Sequence, residues 1–207
     1  MLRALNLLRR LRAWLRHAAG GRGHGIPQSR VRCRLQETYR AVDPWGMHTE
    51  REQFRFAATN DIILRELACA ERFDSALEIG CGEGHQSLHL APLCDQFIGI
   101  DIVEDAVRRA RERLPGARFV CGELAAQPWR SQGRRFGLVT ACEVLFYFSD
   151  VPETLATMSA LGRNCIVTCH EPSLHVVARA LEKMPLMGRS RLQHGAVVWH
   201  AFWWRNE

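Results

Sequence analysis

Leu77-Glu78-Ile79-Gly80-Cys81-Gly82-Glu83-Gly84-His85 reads as a buried strand that breaks into a glycine turn and then opens a helix. Glycines in that turn tolerate positive φ and carry no Cβ, so the backbone can come within van der Waals reach of a nucleotide-like ligand. The rest of the chain is organised around that cradle. An apolar run on either side makes it the first turn of a strand-and-helix fold.

The spacing argues against a pyrophosphate. A dinucleotide turn runs G-x-G-x-x-G, whereas the third glycine here, Gly84, comes one residue early, and Glu83 sets a carboxylate where phosphate oxygens would sit. A cationic ligand fits better. Glu78 precedes the first glycine by two residues, and Asp101 ends the next apolar run, Phe97-Ile98-Gly99-Ile100-Asp101. Those acids can accept from an amine and from ribose hydroxyls respectively. The pattern E-x-G-x-G-x-G with a second-strand acid resembles the class I S-adenosylmethionine (SAM) methyltransferases.

Composition sets the limits. At 207 residues the chain suits one domain with an appendage. Its net charge of +6 is unevenly placed: nine of the 28 basic residues lie at or before Arg34, and no acid precedes Glu37. The remainder holds 19 basic against 22 acidic residues, net −3, which excludes a nucleic-acid-binding body on charge. Eight cysteines without any C-x-x-C pair, mostly inside apolar runs, read as buried free thiols of a cytoplasmic protein and not as disulfides or a metal site.

Residues 1–36 form a basic Leu/Arg-rich extension and linker. Leu2, Leu5, Leu8, Leu11 and Leu15 recur at helical spacing, and the glycine-rich stretch 20–27 follows as a hinge. Residues 1–20 suit either a peripheral contact with an anionic membrane surface or a protein, or a lightly packed extension. No run is long enough to span a membrane. Residues 37–207 form the domain proper, with a helical cap at 37–75 and an α/β core at 76–207. In the cap, Asp43-Pro44-Trp45-Gly46 is a turn between two helical segments, the second expected to bury Phe54, Ile62, Leu64 and Leu67. In the core, helix is expected through Leu88 and Leu90, over 103–114, 150–161 and 172–183, and strand over 97–101, 118–121, 136–144, 164–169 and 197–204, with a loop at 185–190. The arginines of the 103–114 helix read as a solvated face paired with Glu104, Asp105 and Glu112. Alternating strands and helices, with continuous apolar strands, predict a doubly wound, mostly parallel seven-stranded sheet covered on both faces.

Asp43-Pro44-Trp45-Gly46, Arg55, Ala76 to Cys81 and Cys142-Glu143-Val144-Leu145-Phe146-Tyr147-Phe148 narrow the resemblance to the nodulation-factor (chitooligosaccharide) N-methyltransferase family. Three positions depart from that pattern. Glu52 stands where relatives carry a tyrosine, Glu123 replaces the third-strand aspartate, and Phe136-Gly137 replaces an F-D pair. The resemblance implies SAM as cofactor and S-adenosylhomocysteine (SAH) as product. Ligands of such sheets bind at the carboxyl ends of the strands. On that rule Gly80, Cys81, Gly82 and Gly84 line the methionine portion, and Glu78 holds its ammonium. Asp101 takes the ribose, Ile102 presses on adenine, and Glu123 with Leu124 borders the adenine edge.

Methyl transfer is an in-line displacement at an activated carbon, so alignment does most of the work. A hydroxyl acceptor gains from a base near neutral pKa, which selects His170 at the end of the fifth strand, with Glu143 orienting the acceptor. Tyr39, Trp45, His48 and Arg55 are placed at the acceptor mouth. The expected substrate is an amine or hydroxyl of a small acceptor, such as a saccharide, glycoconjugate or secondary metabolite, with no metal. Competing readings are a SAM-binding module without catalysis, an RNA methyltransferase using the basic arm, and a nicotinamide-dependent oxidoreductase.

Overall fold

A computed structural model describes residues 28–68 and 72–207. The leader helix, the glycine hinge and the contact expected of residues 1–20 lie outside the described residues. Seven strands make one sheet: β1 (Phe73–Ile79), β2 (Cys94–Asp101), β3 (Arg118–Cys121), β4 (Phe136–Cys142), β5 (Gly162–His170), β6 (Gly188–His194) and β7 (Val197–Arg205). Their order is β3-β2-β1-β4-β5-β7-β6. The pairs from β3 through β5 are parallel, while β7 runs antiparallel to both β5 and β6. The strand order reverses between β1 and β4, and a crevice at the carboxyl ends there is where ligands of open α/β sheets bind.

Among the described residues six helices flank the sheet: α1 (Gln28–Thr38), α2 (Glu50–Ile62), α3 (Ser87–Leu90), α4 (Glu104–Arg113), α5 (Val151–Leu161) and α6 (Leu174–Leu181). β4 and β5 bury almost every side chain, because helices cover both faces. On one face Leu155 and Met158 of α5 and Val177 and Leu181 of α6 pack on Val139, Val167 and Trp204. On the other, Ile62, Ile63 and Leu67 join Val107 and Ala110 of α4 against Leu138, Ile166 and Trp203. Each such aliphatic side chain contributes about 1.5–3 kcal/mol by leaving water. α5 begins where expected, with Asp150 accepting from the Glu153 N–H at 2.9 Å as its cap.

Four expectations are corrected. The boundary at residue 36 falls inside α1, whose Val31 and Leu35 pack with Tyr39 on Val103 and Ala106; this helix belongs to the domain. The segment at 185–190, expected to be a loop, runs into strand β6. Only Leu192 of β6 is buried, so no apolar run announces it; the two-residue turn at Gly195 (φ +58°) folds it back onto β7 as a charged edge strand. The cap helix buries Phe56, Ile62, Ile63 and Leu67 and leaves Phe54 and Leu64 at the surface; at its end it widens into a π turn at Ile63–Leu67, which shifts the inward face there. Finally, α4 does not present all its arginines to water. Arg108 and Arg111 pair with Glu112 and Glu104 as expected, but Arg109 bonds Glu83 at 2.6 Å and the Ala41 carbonyl at 3.0 Å, and Arg113 bonds the Glu83 carbonyl.

Candidate active site

β1 ends at Ile79, and the chain turns through Gly80 (φ +73°) and Gly82 (φ +53°) across the end of the strand. The Gly80 and Cys81 N–H groups both donate to the Ile100 carbonyl, which ties the turn to β2. A Cβ on Gly80 would overlap the Val144 side chain, and one on Gly82 would stand 2.7 Å from the Tyr39 hydroxyl. Both positions therefore require glycine. Gly84 (φ +77°) serves differently: its Cα faces Ala110 of α4, where an added Cβ would lie 3.1 Å from the alanine Cβ. It seats the loop on a helix and lines neither cavity described below, which corrects its expected place beside the methionine portion.

Two cavities meet over the turn. The larger, about 420 Å³, runs from Gly80 and Asp101 past Ile102, Glu123 and Leu124 toward Trp129. The smaller, about 130 Å³, runs under Tyr39 and Trp45 to Glu52, Arg55, Glu78 and Glu143. Leu35, Gly80, Asp101, Val144 and Tyr147 border both, so one continuous crevice crosses the switch point. Tyr39 and Trp45 meet edge to face, 6.0 Å between centroids, and roof the smaller chamber.

The carboxylates around this crevice are held by specific donors. Asp101 accepts from the Gly82 N–H at 2.9 Å and the Val103 N–H at 3.0 Å; burial still pushes its pKa up. Glu78, 3% exposed, accepts from the Ser87 hydroxyl. Burial raises its pKa to about 8, against the opposing pull of that hydroxyl and of Arg55. Glu143 follows β4 in a left-handed conformation (φ +60°), and its oxygens accept from the Thr168 hydroxyl at 3.0 Å and the His170 N–H at 2.9 Å. Its pKa too is raised by burial, with Arg55 opposing. Arg55, 2% exposed, bonds Glu52 at 2.8 Å and Gln86 at 2.7 Å. The smaller chamber thus sets the carboxyl groups of Glu52, Glu78 and Glu143 beside the guanidinium groups of Arg51 and Arg55 in a poorly solvated place, Arg51 reaching Glu52 at 2.9 Å.

Among the expected acceptor residues, Tyr39, Trp45 and Arg55 line the smaller chamber; His48 does not, its ring being exposed and bonded to Asp43. His170, expected as base, lies outside the lining of both cavities, with its ring against Trp199 at 6.2 Å. The strand end that carries it bends its backbone, and not its imidazole, to Glu143. Glu83, Asp43 and His85 bring donor atoms within 4.8 Å of one another. Both carboxylates are already engaged, Glu83 by Arg109 and the Asp43 N–H, Asp43 by the Met47 N–H and His48. The cluster is a strut joining the glycine turn to the Asp43–Gly46 turn. Glu123 is met by Arg32 of α1 at 3.4 Å across the mouth of the larger cavity. Several chamber residues escaped the sequence reading, Arg51, Gln86 and Trp199 among them, since a polar residue near a turn and an aromatic in an apolar strand carry no distinguishing local signal.

Residues 76–165 match a family model described as a methyltransferase domain. Residues 76–165 are thus similar to a methyltransferase domain, and the strand order and the glycine crevice agree with that likeness. The chain is 32% identical over 133 residues to nodulation protein S of Bradyrhizobium diazoefficiens, covering 64% of this chain and 60% of that protein. It is 31% identical over 144 residues to nodulation protein S of Sinorhizobium fredii, covering 69% and 62% respectively. The chain thus spans somewhat under two thirds of the length of these relatives. Among solved structures, the N-methyltransferase NodS of Bradyrhizobium japonicum WM9 in complex with SAH superposes with a TM-score of 0.69 at 20% identity, over 85% of this chain and 98% of that one. Magnesium protoporphyrin IX methyltransferase of Synechocystis PCC 6803 with bound SAM gives 0.65 at 14% identity, over 89% and 100%. Both share the fold of this chain. In the described residues, no helix is long and apolar enough to cross a membrane.

Proposed function

We propose that the chain methylates an amine of a small, saccharide-like acceptor with SAM as donor. The observation that carries this reading is the acidic chamber beside the glycine turn, where Glu52, Glu78 and Glu143 surround Arg55. The glycine turn and Asp101 fit an adenosine at the larger cavity, which Gly80 and Asp101 both line. Glu78 suits the ammonium of the amino-acid end. SAM, when bound, supplies a methyl group already activated by a sulfonium.

The chain's residues then have to bind, orient and desolvate. An amine arrives in water mainly as ammonium, and a pocket lined by carboxyl groups can accept from it. Glu143, fixed by Thr168 and His170, is the acid placed to orient the nitrogen and to hold the proton it gives up. The raised pKa of Glu143 brings that proton nearer to the working range. Tyr39, Trp45 and Tyr147 offer aromatic surface on which a sugar ring can rest, excluding water from the nitrogen. The saccharide class is what the likeness to nodulation protein S supports.

The test is transfer of a labelled methyl group from SAM to glucosamine oligomers, with fully N-acetylated oligomers as the hydroxyl-only comparison. Label on the free-amine oligomers alone is the expected result. Label on the acetylated oligomers alone would replace the amine by a hydroxyl, and SAM binding without transfer to either would favour a binding module.

A further inference from the structure

Resting on the reading that the crevice takes SAM, we propose that Gln86 recognises the carboxylate of the cofactor's amino-acid end, and that Arg55 is a positioning residue that fixes the Gln86 amide for this task. Gln86 is 6% exposed and lines the smaller chamber beside Glu78. Its Oε1 accepts from Arg55 Nη1 at 2.7 Å, and its Nε2 is buried with no hydrogen-bond partner. An amide NH₂ shut away from water without an acceptor costs free energy that a native fold seldom leaves unanswered. A ligand acceptor answers it.

Arg55 explains the direction. A guanidinium only donates, so it takes the oxygen of the amide and leaves the NH₂ for the chamber. Three of the five Arg55 N–H groups face protein partners: Nε donates to Glu52 at 2.8 Å, Nη1 to Gln86, and Nη2 lies 3.8 Å from the Met47 sulfur. The amino-acid end of SAM carries one anionic acceptor group and one cationic donor group. Glu78 is the acid suited to the ammonium, and the Gln86 NH₂ is the buried donor suited to the carboxylate. The two side chains, eight residues apart in sequence on either side of the glycine turn, form a pair that reads a zwitterion.

The experiment measures calorimetric affinities of the full chain for SAH and for 5′-methylthioadenosine, which keeps the nucleoside and the thioether and lacks the amino acid. Gln86→Met removes the donor at similar volume, and Gln86→Glu turns it into an acceptor that repels the carboxylate. Both are expected to weaken SAH about tenfold or more while leaving methylthioadenosine within about twofold, and Arg55→Lys, which cannot hold the amide in the same way, is expected to show a smaller loss of the same selectivity. Retained methylthioadenosine binding reports that a variant is folded. Equal loss for both ligands, or unchanged SAH affinity, would overturn the assignment of Gln86. If the wild-type chain binds both compounds equally, the amino-acid end is not recognised and the proposal fails while the cofactor reading stands; if it binds neither, the cofactor reading itself fails.

Discussion

Glu78 offers the sharpest physical test. Its carboxyl is 3% exposed, and burial lifts its pKa from 4.5 to about 8 in the ligand-free protein. Between those values the folded chain holds a proton that the unfolded chain has lost, so stability falls as pH rises from about 4.5 to about 8, by as much as about 5 kcal/mol in all. An ammonium placed against Glu78 reverses the preference and drives the proton off. At pH 7 a group with a pKa near 8 is about nine-tenths protonated, so binding SAH should release about 0.9 proton. Affinity should rise about tenfold from pH 6 to pH 7, a window in which the ligand's own amine stays charged, and level off above pH 8. Titration calorimetry in buffers of different ionisation enthalpy measures the release directly. Glu78→Gln should bind SAH more weakly, release almost no proton and lose the alkaline fall in stability. A wild-type affinity that is flat from pH 6 to pH 7, with heats independent of buffer, would refute the argument from burial.

Three further outcomes follow from contacts described above. Gly84→Ala places a Cβ 3.1 Å from that of Ala110 at φ +77°, so thermal unfolding should show a loss of about 1–3 kcal/mol. Arg109→Ala leaves the buried Glu83 carboxylate with only the Asp43 N–H and His85 nearby, and chemical denaturation should register a loss of about 2–4 kcal/mol. Glu143→Gln keeps the shape and removes the charge at the acceptor nitrogen; turnover with an amine acceptor should fall about a hundredfold while the SAH dissociation constant stays within about twofold, and unchanged turnover would remove Glu143 from the reaction.

How much of this was legible depends on whether the relevant signal was local. The glycine turn, the strand-end acids Glu78 and Asp101 and the apolar strands are local patterns, and they fixed the sheet and its crevice. Strand β6 was not legible, because Arg189, Arg191 and Gln193 face solvent at an edge and the pairing that makes them a strand comes from β7. Arg109 was read as a solvated residue since its helix neighbours offered it acids, but Glu83, 26 residues earlier, holds it instead. His170 was placed by its near-neutral imidazole and its strand-end position, and position does not fix where a ring turns: its backbone serves Glu143 while its ring packs toward Trp199.

The same limit applies to α2, and there it bears on function. Read for hydrophobic periodicity, α2 is a weak helix, because Glu52, Arg55 and Thr59 occupy the face that turns inward. Buried polar groups on that face are costly unless each has a partner. Arg55 finds Glu52 and Gln86, and Thr59 finds the Arg55 carbonyl at 2.8 Å. What remains unmatched is the NH₂ of Gln86, a residue that lines the chamber. A helix that served only to cover the sheet would gain stability from apolar residues at those positions. The polar stripe of α2 is therefore the feature that sets the chamber apart from ordinary core, and a charged ligand carrying both an ammonium and a carboxylate is what would complete it.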